Sequence, residues 1–488
     1  MNEQGQVEPQ VYSFDEFFTE KAVFPVCIDS YQRPYVWDTD DVQELINDLS
    51  EYLAQSNGLA YYMGNVLLHQ NNVEKKLFII DGQQRLTTLS ILYYVLNEKL
   101  IDSNKMAMEY HSPLSAQNIK QTQKLFERKK DKWKEQSTFL FSNIQFTFIT
   151  TLSEDLAFTF FDTQNNRGVK LNPTDFLKAY HLRAIGNADH RDIQEDCARR
   201  WEKIQNKSTL FGQHKDFTAE LFHQFLWRSR NWRGQQRVIY REDDDDMLTE
   251  FQKKSINSNS ADTINLYPNP NNTLAKSLQL KVNQGYTLHT VNIEASNNSV
   301  HLPFTLRQPI SKGLGFFLFS AKYADLVHML LFDEDIKKPD IKAFRALYKD
   351  VWTKISLYLK ELFVLASVMY YDKFDSEKLL EFTLWLDHVL GAVRIEKQSI
   401  YKEAITKFLK ETDNNLLDII SQAFRPEEVI LFIKSLTYYN EIYEKEEVIA
   451  GNGVQGVYKQ NVLEYYKQTD FREKMDWIND DFIQRKLK

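Results

Sequence analysis

Polar side chains follow a short apolar run at residues 77–88, and their types suit the binding of an anion. Leu77 to Ile80 are four consecutive apolar residues, a pattern that predicts a buried strand. After residue 82 the leucines recur with a helical period, so the polar side chains lie at a strand-to-helix junction. Backbone N–H groups and the helix dipole favour an anion at such a junction. The candidate site residues there are Asp81, Gly82, Gln83, Gln84, Arg85, Thr87 and Thr88.

A structural role is the alternative for the same residues. Gly82 suits a sharp turn as well as a close approach to a ligand, and polar side chains at the start of a helix cap its N–H groups. Arg85 adds a permanently charged fork that matches phosphate. The local chemistry therefore leaves two roles open, phosphate binding and a capped strand-turn-helix corner.

An aromatic segment at residues 31–37 also has two interpretations. Its aromatic residues surround a Gln-Arg pair and could form a wall for stacking and hydrogen bonding. They could instead pack as a loop on the core, and from this segment alone we favour that interpretation. Pro34 restricts the preceding residue to extended geometry. The candidate residues are Tyr31, Gln32, Arg33, Tyr35 and Trp37.

A turn near residue 167 is a third candidate. Gly168 is suited to end one helix, and Asn172-Pro173 is suited to start the next as N-cap and first helical residue. The turn could present Asn166 and Arg167 to a site elsewhere in the fold. As a simple helix–helix connector it would explain Gly168 and Pro173 but not Arg167.

Two basic segments are candidates for contact with nucleic acid. Residues 227–241 alternate arginine with aromatic side chains, which suits backbone contact combined with base stacking. An interface cluster paired with Asp243–Asp246 is an equal alternative. Residues 117–136 predict a polar, lysine-rich helix, and such a run is more often a solvated face. The candidate contacts of the first segment are Arg228, Arg230, Trp232, Arg233 and Arg237.

The composition excludes several classes of protein. A hydrophobic content of 43% and 14% aromatic residues exclude general disorder. The sequence lacks an apolar run of the roughly 18 residues that span a bilayer, and the two cysteines exclude a disulfide framework or a cysteine-rich zinc site. We therefore expect a cytoplasmic protein without membrane contact. Because the net charge is −8, a nucleic acid would have to bind to local basic patches.

The order of patterns predicts three regions. A hairpin over Tyr61–His69 and Lys75–Ile80 leads into the first motif, and residues 10–240 form the N-terminal domain with its helical extension. Residues 241–300 are rich in acidic residues, Asn and Ser, and we interpret them as an insertion or linker. Strand-like alternation is present at Thr287–Ile293 and His301–Leu306, and helical periodicity dominates the domain at 301–488.

Three motifs together resemble one family, the ParB/sulfiredoxin-like N-terminal domain of GmrSD-type, modification-dependent restriction and phage-defence proteins. The resemblance covers roughly residues 10–190 and is weaker from about 300 to 450. The motifs are Tyr31-Gln32-Arg33-Pro34-Tyr35-Val36-Trp37, Asp81-Gly82-Gln83-Gln84-Arg85-Leu86-Thr87, and Asn166-Arg167-Gly168 with Leu171 and Asp175.

The resemblance implies an α+β fold, in which a small mixed α/β domain precedes a mostly α-helical region. It also implies a nucleoside triphosphatase that acts in defence against phage or foreign DNA. By this resemblance Gln84 and Arg85 contact phosphates, and Asp81 positions water or Mg²⁺. Gln32 and Arg33 face the same pocket, which Asn166 and Arg167 close. The Mg²⁺ is expected with the nucleotide, because phosphate charge needs neutralising; the sequence shows no metal-ligand pattern.

One departure from the family bears on whether this sequence is itself a nuclease or only a sensor. Many relatives carry an HNH-type nuclease domain that needs histidines, whereas this sequence has no histidine after His388. We therefore expect a nucleotide-hydrolysing sensor or regulatory subunit whose nuclease or effector is a separate protein. A non-hydrolysing nucleotide- or DNA-binding module, a reader of modified DNA, is the alternative, and a purely structural scaffold ranks last. Homo-oligomerisation stays open.

Overall fold

The computed structural model describes most of the chain with a set of gaps. The described residues are 8–29, 32–55, 59–110, 112–153, 172–186, 190–214, 216–239, 243–258, 260–264, 266–267, 276–281, 285–290, 299–335, 337–411, 414–444 and 453–488. The contacts divide the chain into two units, one of residues 1–183 and 194–202, the other of residues 184–193 and 203–488. The fold is α+β, as predicted.

The first unit is built on a mixed six-stranded sheet. Its strand order is β1-β6-β3-β4-β2-β5, in which β3–β4 and β1–β6 are antiparallel and the other neighbours are parallel. The strands are β1 (Glu8–Ser13), β2 (Val26–Ile28), β3 (Tyr61–Asn71), β4 (Lys76–Asp81), β5 (Met106–Ala107) and β6 (Ile144–Thr151). The predicted hairpin is therefore confirmed as β3 and β4.

Helices of the first unit cover this sheet. They are α1 (Phe14–Glu16), α2 (Thr39–Gln55), α3 (Gln83–Asn97), α4 (Pro113–Glu127), α5 (Lys130–Trp133) and α6 (Ser137–Asn143), followed by α7 (Pro173–Ile185) and α8 (Arg191–Gln205) at the boundary of the units. A π-helical turn at Phe17–Lys21 continues α1, and a 3₁₀ turn at Lys134–Gln136 joins α5 to α6. The predicted lysine-rich helix is thus divided into α4 and α5.

The central strand and most of the helix after it are buried, although Tyr94 of the helix is 46% exposed. Leu77, Phe78, Ile79 and Ile80 of β4 are all buried, which confirms the strand predicted from four consecutive apolar residues. Sequence periodicity predicts one apolar face for α3, but polar side chains such as Thr88 and Ser90 are buried as well. They can be buried because their hydroxyls donate to the carbonyls of Gln84 and Leu86 one turn earlier.

The second unit is mainly helical. Its helices are α9 (Phe217–Glu220), α10 (Arg228–Asn231), α11 (Asp244–Leu248), α12 (Leu314–Leu331), α13 (Pro339–Leu347), α14 (Leu357–Phe374), α15 (Leu379–Glu396), α16 (Lys402–Glu411), α17 (Leu416–Gln422), α18 (Pro426–Lys434), α19 (Tyr438–Glu444), α20 (Val454–Tyr466), α21 (Lys474–Trp477) and α22 (Asp480–Leu487). π-helical turns at Leu221–Trp227, Thr249–Lys253 and Tyr348–Trp352 extend three of these helices.

Several local predictions in this unit differ from the structure. His301–Leu306 is not a strand, because a short 3₁₀ helix at Ser299–His301 and a turn occupy it. The strand near residue 287 is present as β8 (Gly285–Thr290), paired with β7 (Lys276–Lys281). Part of the predicted linker belongs to the core, since Met247 and Phe251 are buried.

One helix of the described residues, α12, is long and apolar enough to cross a membrane by length and composition. Of its apolar window, 67% is buried inside the protein, as in the core helix of a folded domain. The sequence analysis did not anticipate an apolar helix of this length.

A buried ion pair holds the C-terminal helices to the centre of the second unit. Lys474 and Asp387 are both fully buried, and Lys474 Nζ donates to Asp387 Oδ2 at 2.9 Å. The same ammonium donates to the hydroxyls of Tyr443 and Tyr458, and Trp352 Nε1 donates to Asp387 Oδ1. Burial lowers the pKa of Lys474, so the carboxylate and hydroxyl partners are needed to keep it charged.

We expect Lys474→Met to lower the free energy of unfolding by about 3–5 kcal/mol, because it leaves the Asp387 carboxylate buried without its counter-charge. The double variant Lys474→Met/Asp387→Asn should recover part of this loss, since no lone charge remains. Urea unfolding followed by circular dichroism measures both. Equal stability of Lys474→Met and the wild type would contradict the assignment.

Candidate functional site

The candidate site lies at one edge of the sheet, where two parallel strands end. β2 pairs with β4 in parallel, with Val26 opposite Leu77 and Ile28 opposite Ile79. Asp29, which directly follows β2, and Asp81, the last residue of β4, therefore lie at the same edge. The carboxyl ends of parallel strands are the usual position for ligand sites in such sheets.

Gly82 forms the turn between β4 and α3. Its φ is +97°, a left-handed conformation that favours glycine. A Cβ atom at this position would lie 2.9 Å from Val66 Cγ2, so the turn has no room for a side chain. Helix α3 then starts at Gln83 without a side-chain cap. The first-turn N–H groups have no acceptor within the helix and can serve an anion.

Arg85 binds the backbone of the neighbouring strand. Its guanidinium donates to the carbonyl oxygens of Met63 at 2.7 Å and Asn65 at 2.8 Å, and lies 3.4 Å from Asp81 Oδ2. These contacts coincide with an irregularity of β3 between Tyr62 and Asn65. Gly64 has a φ of +98° there, and a Cβ on it would contact the guanidinium. In this structure Arg85 therefore links the start of α3 to β3 through hydrogen bonds.

The buried amide of Gln84 holds the aromatic segment in place. Its Oε1 accepts hydrogen bonds from the backbone N–H groups of Val36 at 2.8 Å and Trp37 at 3.2 Å, and its Nε2 donates to Pro34 O. Gln83 adds a bond from its Nε2 to Arg33 O at 3.0 Å. The motif at 81–88 and the segment at 32–37 thus form one hydrogen-bonded structure.

Tyr35 connects the same segment to helix α4. Its buried hydroxyl lies 2.8 Å from Thr88 Oγ1 and 3.2 Å from Thr122 Oγ1, and burial raises its pKa. Its backbone bonds to Ser115 Oγ and to Asn118 Nδ2. The structure agrees with the interpretation of this part of the segment as a loop packed on the core. Trp37 is half-buried beside it.

Thr87 forms a similar contact on the other side of α3. Its hydroxyl donates to Gln83 O at 2.7 Å and also contacts the hydroxyl of Tyr110. Burial raises the pKa of Tyr110 strongly, so this hydroxyl stays protonated. The hydroxyls of Thr87 and Thr88 therefore both have protein partners.

Arg33 is the cation of the site that the protein leaves available. Among the described residues its guanidinium makes no hydrogen bond or ion pair, although its side chain is only partly exposed. Gln32, by contrast, is buried, and its Nε2 donates to Ile80 O at 3.0 Å. Arg33 is therefore held close to the end of β4 by its backbone neighbours, while its charged group remains unmatched.

A buried lysine supports this loop from behind. Lys178 of α7 is 1% exposed; its Nζ donates to Gln32 O at 3.2 Å and lies 3.6 Å from Glu202 Oε1. Burial lowers the pKa of Lys178, and the charges of Glu202, Asp175 and Asp29 oppose that effect. Sequence reasoning missed both Lys178 and Asp29. A signal for Asp29 was present, because it directly follows the extended segment ending at Ile28.

Some predicted site residues are not brought together. Tyr31, Asn166 and Arg167 lie outside the described residues.

The predicted nucleic-acid cluster lies in the second unit, where Arg228 pairs with Glu361 at 2.7 Å and Arg230 pairs with Glu250 at 2.7 Å. Both pairs are buried, as is Trp232, while Arg233 and Arg237 are exposed. For the three buried residues the geometry favours the packing alternative, with Glu361 and Glu250 in place of Asp243–Asp246.

A metal at this site would need ligands besides the protein. The described part of the chain contains no group of three or more His, Cys, Asp or Glu side chains that could hold a metal ion. Asp81 and Asp29 at the sheet edge nevertheless fit Mg²⁺, which is commonly held by one or two carboxylates together with phosphate oxygens and water.

Two family models match the chain. One, described as "GmrSD restriction endonuclease, N-terminal domain", matches residues 14–182. The other, described as "Family of unknown function (DUF7834)", matches residues 193–449. No curated protein matches the chain significantly. The first match confirms the resemblance drawn from the motifs and indicates a restriction-like defence protein that acts on modified DNA.

Arg85→Ala should destabilise the domain, because the carbonyls of Met63 and Asn65 lose charged donors. We expect the free energy of unfolding to fall by about 2–4 kcal/mol, whereas Arg33→Ala, which removes no hydrogen bond or ion pair seen in the described residues, should change it by less than about 0.5 kcal/mol. Chemical unfolding of the two variants side by side tests this. Equal effects would show that the contacts of Arg85 do not hold the fold.

Proposed function

Because the chain belongs to the Family of unknown function (DUF7834) and its residues 14–182 match the GmrSD restriction endonuclease N-terminal domain, we propose that it is a nucleotide-hydrolysing sensor or regulatory subunit of a restriction-like anti-phage system. In this proposal a nucleoside triphosphate binds at the sheet edge of the first unit. The protein acts on modified or foreign DNA, and a separate protein supplies the nuclease.

The observation that carries the proposal is the unmatched charge of Arg33, whose backbone carbonyl is bonded by Gln83 at the uncapped start of α3. Two independent features there attract the same kind of ligand. The first-turn N–H groups of Gln83, Gln84 and Arg85 point out of the helix start, and Gly82, which precedes them, has no side chain of its own. Arg33 adds a charged fork that suits phosphate oxygens. Together they make a site for a polyphosphate.

The other residues of the site would position rather than hold the nucleotide. Gln84 fixes the loop that carries Arg33, and Lys178 supports the same loop from the interior. Gln83 Oε1 is buried without a hydrogen-bond partner among the described residues. Arg85 would act indirectly, by fixing the start of α3 against β3.

If Mg²⁺ accompanies the nucleotide, the chemistry it would supply is positive charge that offsets the charge of the phosphates. Asp81 and Asp29 are the carboxylates that would hold it. Asp81 ends β4 and Asp29 follows the paired parallel strand β2, so both lie at the end of the sheet where α3 starts. The residues of this chain would then bind and orient the nucleotide.

We expect Arg33→Ala to reduce phosphate release at least tenfold without a loss of stability, because it removes the unpaired cation of the site. The measurement is phosphate release from ATP, GTP, CTP and UTP with Mg²⁺, in the absence of DNA. Arg237→Ala is the matched control, since Arg237 is an exposed arginine of the second unit.

Two outcomes would contradict the proposal in different ways. Full turnover by a folded Arg33→Ala protein would show that Arg33 does not belong to the site of hydrolysis. Nucleotide binding by the wild type without turnover, measured by calorimetry, would replace hydrolysis by the non-hydrolysing binding module.

A further inference from the structure

Helix α4 has two chemically different faces. One face is buried and consists of Ser115, Asn118, Thr122 and Phe126, spaced three or four residues apart. The other carries cations at a spacing of four residues: Lys120, Lys124 and, at the C-cap, Arg128. Since each residue advances a helix by about 100°, Lys120 lies about 200° from both Asn118 and Thr122. The two sets therefore occupy opposite sides of the helix.

The buried face of α4 holds the loop of the candidate site. Ser115 Oγ accepts the backbone N–H of Tyr35 at 2.8 Å, and Asn118 Nδ2 donates to Tyr35 O at 3.2 Å. Thr122 Oγ1 lies 3.2 Å from the Tyr35 hydroxyl. These contacts with Tyr35 fix the rotation of α4 about its own axis. The cations on the opposite face therefore point away from the loop.

The exposed face is strongly basic. Residues 113–136 contain seven Lys or Arg against three acidic residues, Glu127, Asp131 and Glu135. Lys130 pairs with Glu98 at 2.6 Å, and Gln123 bonds to Glu127. In contrast, the side chains of Lys120, Lys124 and Arg128 are exposed and make no ion pair or hydrogen bond within the described parts of the chain. Lys132 and Lys134 of the following turns are exposed as well.

We propose that this basic face, Lys120–Lys124–Arg128, binds the phosphate backbone of duplex DNA. The inference deepens the proposed function, from which it takes DNA as the ligand, but it does not depend on nucleotide hydrolysis. Backbone contacts of this kind fix the position of the protein on DNA and carry no sequence or modification specificity. Recognition of a modified base would belong to other residues.

Charge and spacing support DNA as the occupant of this face. The chain as a whole carries a net charge of −8, so a polyanion is repelled except where cations are concentrated. Successive cations on the face are separated by a rise of about 6 Å along α4, so three of them form a row that can follow phosphates. The arginines that the sequence suggested for this task, Arg228 and Arg230, are instead consumed by buried ion pairs.

The test is the salt dependence of DNA binding by Lys120→Gln/Lys124→Gln/Arg128→Gln in the full chain. A labelled, unmodified duplex is titrated by fluorescence polarisation without nucleotide. We expect at least tenfold weaker binding at low salt and a slope of log K against log salt reduced by about two to three, since each phosphate contact contributes about 0.9.

Lys337→Gln/Lys342→Gln/Lys349→Gln is the matched control, because it removes three exposed lysines of the second unit and gives the same net charge. It should bind DNA with the wild-type slope. An unchanged affinity and slope in the first variant, an equal loss in the control, or no binding of DNA by the folded wild type at low salt would each overturn the proposal. Because nucleotide is absent from the assay, failure of the proposed hydrolysis leaves this result unaffected.

Discussion

The hydrogen bonds of the Gln84 side chain are the constraint on which the candidate site depends. One buried carboxamide accepts two backbone N–H groups and donates to one carbonyl of the segment at 34–37. An aromatic loop has no regular backbone pairing of its own, and buried backbone groups without partners are strongly disfavoured. Gln84 supplies those partners from the first turn of α3. The position of Arg33 relative to the start of α3 follows from it.

The hydrogen bonds of α3 divide the motif at 81–88 into side chains that hold the backbone in place and groups that could bind a ligand. Gln84 and Arg85 are both directed at backbone atoms, those of the loop and those of β3. What remains for a ligand is the backbone of the first turn and the guanidinium of Arg33. A motif rich in amides and arginine is therefore not equivalent to a set of side chains that contact phosphate. In the proposed site the backbone of the first turn would bind the ligand, and most of the polar side chains preserve its conformation.

The sequence predicted the parts of this arrangement that depend on local patterns. Four apolar residues before Gly82 indicated the buried strand, and the change of period after it indicated α3. The distant partners were not predictable in this way, because a hydrogen bond from Gln84 to Pro34 joins residues 50 positions apart. The same limit applies to Lys178, which is recognisable as a site residue only after α7 has packed behind the loop. In the second unit, the alternation of arginine and aromatic residues was the same for a surface cluster as for buried ion pairs, and only the positions of Glu250 and Glu361 distinguish them.

The burial of most of α3 has a consequence for ligand binding. A helix enclosed in this way exchanges its amide hydrogens mainly through large-scale unfolding, so it belongs to the most persistent part of a domain. Its first turn carries the N–H groups of the candidate site. A ligand at that turn would thus meet donors that are already ordered, and little conformational entropy would be lost on binding. The adaptable part of recognition is then confined to the Arg33 side chain.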